Sequence, residues 1–233
     1  MGEGEGRIIL EEGALDSFGN LLRGMIAFWR ASGGTWPRRV SLVGFGFKRA
    51  RFLGLHCRVL GLGVCGGRGV GVGERDERRR WKGKGRGSGK GDENGQGVKK
   101  GVEAFFRGVD PRFMDPDALE FDAVRCQETR RGEREYGYGE WERDLWGVGE
   151  RLRRKRDRRD AWGEGKGKGN VGENGDAAAG RGTRAGERQA GRALFENDEE
   201  RIRSGVRTRW LEAERGMARE EVLEEGVQMP WER

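Results

Sequence analysis

Apolar residues recur at three- and four-residue steps in two places along this chain, and those places predict its two longest helices. Leu15, Phe18, Leu22, Met25, Ile26 and Trp29 form the first stripe, widened by Leu21 and Phe28. It predicts a helix over 15–30, with Asp16 at its positive end and Ser32-Gly33-Gly34 and Pro37 as the stop. Phe195, Ile202, Val206, Trp210, Ala213 and Met217 form the second and predict a helix over 193–225, capped by Asn197 or Asp198. Glu199 and Arg203 add a favourable i,i+4 pair on its surface. A third helix, over 116–130, is predicted from its start rather than its stripe. Asp110-Pro111 and Asp115-Pro116 each set a capping side chain before a proline that fits the first helical position.

Val40 to Cys65 is the longest stretch in which apolar residues dominate. It reads as two short strands, VSLVGFGF and LHCRVLGLGV, around KRARFLG, weakened by glycine at 44, 46, 54, 61 and 63. The resulting organisation is a marginal apolar segment over 1–65 and a Gly-rich basic linker over 66–109. A capped helix over 110–131, a mixed-charge region over 132–192, an amphipathic helix over 193–225 and a tail over 226–233 follow.

Composition sharpens this into an expectation of disorder. Apolar residues make up 33% of the 233 positions and charged residues 37%, where a compact domain of this length has close to half its residues apolar. Glycine, at 45 residues, raises the entropy lost on folding. The fold class this predicts is a mostly disordered, low-complexity Gly/Arg/Glu-rich chain with a few short α-helices and no large hydrophobic core. Yet Pro numbers only 4 and Trp reaches 8, unlike a typical solvated chain. Gly, Glu, Lys and Arg share purine-only codons, and Trp needs two G's. A G-rich strand read in an open frame, without a selected function, would give this composition.

The candidate chemistry is thin. Gly61-Leu62-Gly63-Val64-Cys65-Gly66 matches the glycine pattern of dinucleotide-binding turns, but GGRGVGVG cannot supply the helix that must follow. The phosphate-cradling loop G-x-x-x-x-G-K-[ST] is missing, because Gly89-Lys90 runs into Gly91. Three cysteines, at 57, 65 and 126, give neither zinc-ligand spacing nor an even disulfide set, and His56 is the single histidine. Asp115, Asp117 and Glu120 lack the glycine and terminal Glu of a calcium loop. No catalytic constellation, cofactor, metal or small-molecule substrate is expected, and His56 and Cys57 read as neighbours in a loose apolar segment.

Charge is the one functional signal. The net charge is +7 from 47 basic and 40 acidic residues, and it is unevenly spread. Arg151, Arg153, Arg154, Lys155, Arg156, Arg158 and Arg159 face a single acid, Asp157; Arg78, Arg79, Arg80 and Lys82 form a second block. A third, Arg38 to Arg58, holds six cations and no acid. Such blocks hold phosphate backbones without reading sequence, and Trp81, Tyr136, Tyr138, Trp141, Trp146 and Trp162 could stack bases. The pattern looks, in composition only, like the Arg-Gly-rich tails of RNA-binding proteins. It points to nonspecific RNA or DNA binding in a nuclear or cytoplasmic protein. Helix-mediated protein interaction through Phe195, Ile202, Val206 and Trp210 is the other reading. The acidic start, MGEGEG, predicts no secretory signal, and no apolar run approaches the length of a membrane span.

Overall fold

A computed structural model describes residues 8–64, 101–160 and 192–232, 158 of the 233. They form five helices and two small sheets with 35 buried residues, which overturns the expectation of a mostly disordered, low-complexity chain. Averaged composition misleads here because the apolar minority is collected on a few faces. Trp29, Trp141 and Trp231 are buried, and Trp36 and Trp146 pack against the core, so the tryptophan excess is core material.

Helix α1 spans Ser17–Ala31. Asp16 caps it, its Oδ1 accepting from the Gly19 amide at 2.7 Å. Its stripe, Phe18, Leu21, Leu22, Met25, Ile26 and Trp29, is the buried face. Gly33 and Gly34 follow with positive φ, which ends the helix.

Strand β1, Arg39–Gly44, alternates exposed and half-buried positions, as a strand with one covered face does. The second predicted strand is mostly helix. Residues 49–59 form α2, in which Arg49–Arg51 and Cys57–Val59 flank a wider π turn over Phe52–His56. Leu55, His56 and Cys57 are buried in succession, and a run apolar on every side gives no period to separate helix from strand. Gly61, at φ +63, breaks α2, and β2 follows as Gly63–Val64 alone. Strand β3, Glu103–Gly108, lies between the other two in a parallel sheet of order β1-β3-β2. Arg39 pairs with Glu103 on one side, and Gly63 pairs with Glu103 on the other.

The third predicted helix begins late. Asp115 spends its carboxylate on the Asp117 amide in a local turn, and Asp122 is the cap, accepting from the Arg125 amide at 3.0 Å. The helical run α3 covers 123–143: Ala123–Gly132, a π segment over Glu133–Tyr138, then Gly139–Arg143. Helix α4 is Glu150–Arg159.

The predicted long C-terminal helix is a short helix and a hairpin. Helix α5, Asp198–Ser204, is capped by Asn197 and stops at Gly205, which is left-handed at φ +71. Strands β4, Thr208–Leu211, and β5, Glu220–Leu223, then pair antiparallel, Thr208 opposite Leu223. Thr-Arg-Trp-Leu suits a strand, and Arg215 and Gly216 take positive φ in the connection. The apolar spacing that mimicked one helix joins residues on different elements.

The main core cluster joins the stripe of α1 to Leu55, Leu60, Ala104, Trp141, Leu152, Phe195, Leu223 and Trp231. Trp231 ties the chain end to α2 by donating to the Leu60 carbonyl at 2.7 Å. No helix among the described residues is long and apolar enough to cross a membrane.

Candidate anion-binding cleft

Four elements meet around a cleft of about 350 Å³. The first turn of α1 contributes Ser17 and Asn20. A 3-10 turn, Gly46–Lys48, runs into α2 and sets Lys48 and Arg51 along one side. The π segment of α3 brings in Tyr136, and α4 brings Lys155 and Arg159, four residues apart and so on one helix face. Phe52, Trp141 and Leu152 give it apolar wall.

The cations in this cleft differ in how they are matched. Arg51 Nε lies 3.2 Å from Glu133 Oε1 without hydrogen-bond alignment, a charge contact between two largely buried side chains. Burial lowers the Arg51 pKa and raises that of Glu133, in each case against the pull of the partner. Lys155 Nζ donates to the Glu140 carboxylate and, at 2.8 Å, to the Tyr136 carbonyl. Asp16, although on the wall, turns its Oδ2 to Arg156 at 3.0 Å. That leaves Lys48 and Arg159, which have no carboxylate partner among the described residues. Lys48 Nζ sits 5.0 Å from the Phe45 ring centre and 5.7 Å from that of Phe47. Burial, then Arg51, hold its pKa below the ordinary lysine value against the opposing pull of Glu133, with Arg159 adding to the lowering. Arg159 is exposed and donates to the Leu15 carbonyl at 2.9 Å.

The sequence-predicted site residues are divided by the fold. Arg153 is buried and donates to the Glu212 and Ala218 carbonyls at 2.8 and 3.0 Å. Arg156 is buried between two acids: it donates to Asp16 Oδ2, to Glu220 Oε2 at 2.9 Å and to the Gly147 carbonyl at 2.6 Å. Burial pulls its pKa down, but Glu220 and Asp16 more than reverse this and hold it above the ordinary arginine value. Arg151 reaches the buried carboxylate of Glu140 at 2.7 Å, and Arg154 pairs with Glu150 on the surface. Arg158 is exposed. Of the block, only Lys155 and Arg159 line the cleft. Arg78, Arg79, Arg80 and Lys82 lie outside the described residues, as do Trp81, Trp162 and Cys65.

Lys48 and Arg51 were visible only as members of the acid-free block from Arg38 to Arg58. Their meeting with α4, about a hundred positions away, had no sequence signal. The same holds for Ser17, whose Oγ is 2.8 Å from His56 Nε2 at the cleft wall. His56 is fully buried among the rings of Phe18, Phe52 and Trp141, with Nδ1 unpartnered among the described residues. Burial and then Arg51 push its pKa down to about 3. At neutral pH the ring is uncharged, and with no carboxylate on Nδ1 to support an imidazolium it fixes the Ser17 hydroxyl without activating it. Cys57, whose thiol burial pushes up to about 12, is inert. Among the described residues no group of three or more His, Cys, Asp or Glu is placed to hold a metal ion.

Compared with known proteins, the chain matches no family model, no curated protein and no solved structure.

Proposed function

We propose that this folded chain binds single-stranded nucleic acid without reading its sequence, and that the cleft between α1, α2, α3 and α4 is the contact. One observation carries the reading: Lys48 and Arg159 line one concave site and neither is ion-paired to a carboxylate among the described residues. A phosphate supplies the missing charge, and the cations' mutual repulsion becomes attraction to it. Tyr136, 59% exposed beside Lys155, offers a ring face to a base. The role moves from a solvated arginine run to a site built by the fold, because Arg153 and Arg156 are committed to interior partners.

Fluorescence anisotropy with a labelled oligouridine tests this. Affinity should fall with rising salt at a log–log slope of about −0.7 per phosphate contacted. Lys48→Ser with Arg159→Ser should weaken binding about tenfold or more, whereas Arg151→Ser with Arg154→Ser should change it little. No binding at low salt, or equal losses in the two pairs, would overturn the assignment.

A further inference from the structure

The cleft's charge and size carry more than general affinity for a strand. Pairing Arg51 with Glu133 and Lys155 with Glu140 leaves an excess of about two positive charges, from Lys48 and Arg159. An internal phosphodiester brings one negative charge, and successive ones lie along a line. A phosphate monoester at a strand end brings about −1.5 to −2 at pH 7, with three oxygens on one atom. Lys48 and Arg159 reach the cleft from two different elements, the turn leading into α2 and the end of α4. The walls add short polar groups, the Ser17 hydroxyl and the Asn20 amide, at the start of α1. Its volume of about 350 Å³ is at the small end of ligand sites, room for one nucleotide unit and not for a run of them.

We infer that the cleft takes the terminal phosphate of a single strand, with the end base laid against Tyr136 at the lip. Lys48 and Arg159 hold the phosphate dianion, and Ser17 and Asn20 complete its hydrogen bonds. The inference rests on the nucleic-acid reading above and narrows it from strand to strand end.

Three oligouridines of one length test it, carrying a 5′-phosphate, a 3′-phosphate or hydroxyls at both ends, each labelled internally and titrated into the full chain. One of the two phosphorylated ends should bind about tenfold tighter than the hydroxyl-ended strand at constant salt, the scale of a charge-assisted contact. Lys48→Gln should remove most of that ratio and Tyr136→Ala part of it, with circular dichroism checking that each variant is folded. Equal affinity for all three strands overturns the end-binding inference while leaving strand binding standing. Absence of binding to any of them overturns both. A preference for a phosphorylated end that survives both Lys48→Gln and the milder Arg159→Lys moves the site elsewhere and also overturns the assignment.

Discussion

Helices α1 and α4 both bury one face, and they do it by opposite means. The face of α1 is Phe18, Leu21, Leu22, Met25, Ile26 and Trp29, all apolar. Helix α4, ERLRRKRDRR, buries Leu152 together with Arg153 and Arg156. In the first, removal of apolar area from water supplies the energy. In the second, every buried charge must be met by an acceptor, and the acceptors come from Asp16, Glu220, Glu212 and Ala218, distant in the chain. The contrast teaches that a charge run is not by itself a surface. Whether it is solvated or interior depends on where the opposite charges fold to.

The largest effects should come from breaking each face at its centre. Arg156→Ala strands Asp16 and Glu220 in the interior and should cost about 3–5 kcal/mol, read as a drop in denaturation midpoint. Trp29→Ala, at a side chain 1% exposed and stacked on Trp36, should cost about as much, 3–5 kcal/mol. Near-equality of the two would place paired charge and apolar packing on one footing, and a loss below about 1 kcal/mol for Arg156→Ala would return α4 to the surface. The triple change Arg156→Met, Asp16→Asn and Glu220→Gln should recover most of the loss, since Asn keeps the α1 cap and none of the three buried charges is left unpaired.

Acid should separate the two regions next. His56 belongs to the apolar side and is held neutral there, with its pKa near 3 against an ordinary 6.5. As the pH falls below 6.5 the unfolded chain takes a proton that the folded one refuses. Stability should then drop by about 1.4 kcal/mol per pH unit until about pH 3. On the charged side Glu200 is held below the ordinary carboxylate range by its hydrogen bond to Arg30, so its contribution is lost only below about pH 4.5. Denaturation midpoints between pH 6.5 and 4.5 should therefore flatten in His56→Phe and keep their slope in Glu200→Gln. The smallest effect is expected at Arg154, about half exposed beside Glu150. Arg154→Ser should change stability by about 0.5 kcal/mol or less.

Legibility followed the same division. The apolar stripe of α1 was readable because its period is local, and Asp16 and Gly33-Gly34 sit where caps belong. Strand β1 overlaps the start of VSLVGFGF, beginning one residue earlier at Arg39. Helix α2 was not readable, since 52–57 is apolar in every direction and its π turn has no sequence period. The helix expected over 193–225 joined Phe195 to Met217 across Gly205, and the left-handed turn there puts Ile202 on α5 and Trp210 on β4, with the other stripe residues in the segments between and around them. The cleft was half visible: Lys155, Arg159 and Tyr136 stood out as charge and aromatic ring. Lys48 and Arg51 came into it only through long-range packing, and the burial of Arg153 and Arg156 depended on acids 140 and 64 residues away in the case of Arg156.

The strand order carries a consequence for assembly. β1 and β2 are not neighbours in the sheet; each pairs only with β3, so neither has a partner strand in this sheet until Glu103–Gly108 is in place. In a chain made from its start, this three-stranded sheet therefore cannot form before its middle strand, Glu103–Gly108, is present. Truncation just ahead of that strand should leave both edges bare and prone to pair with another copy.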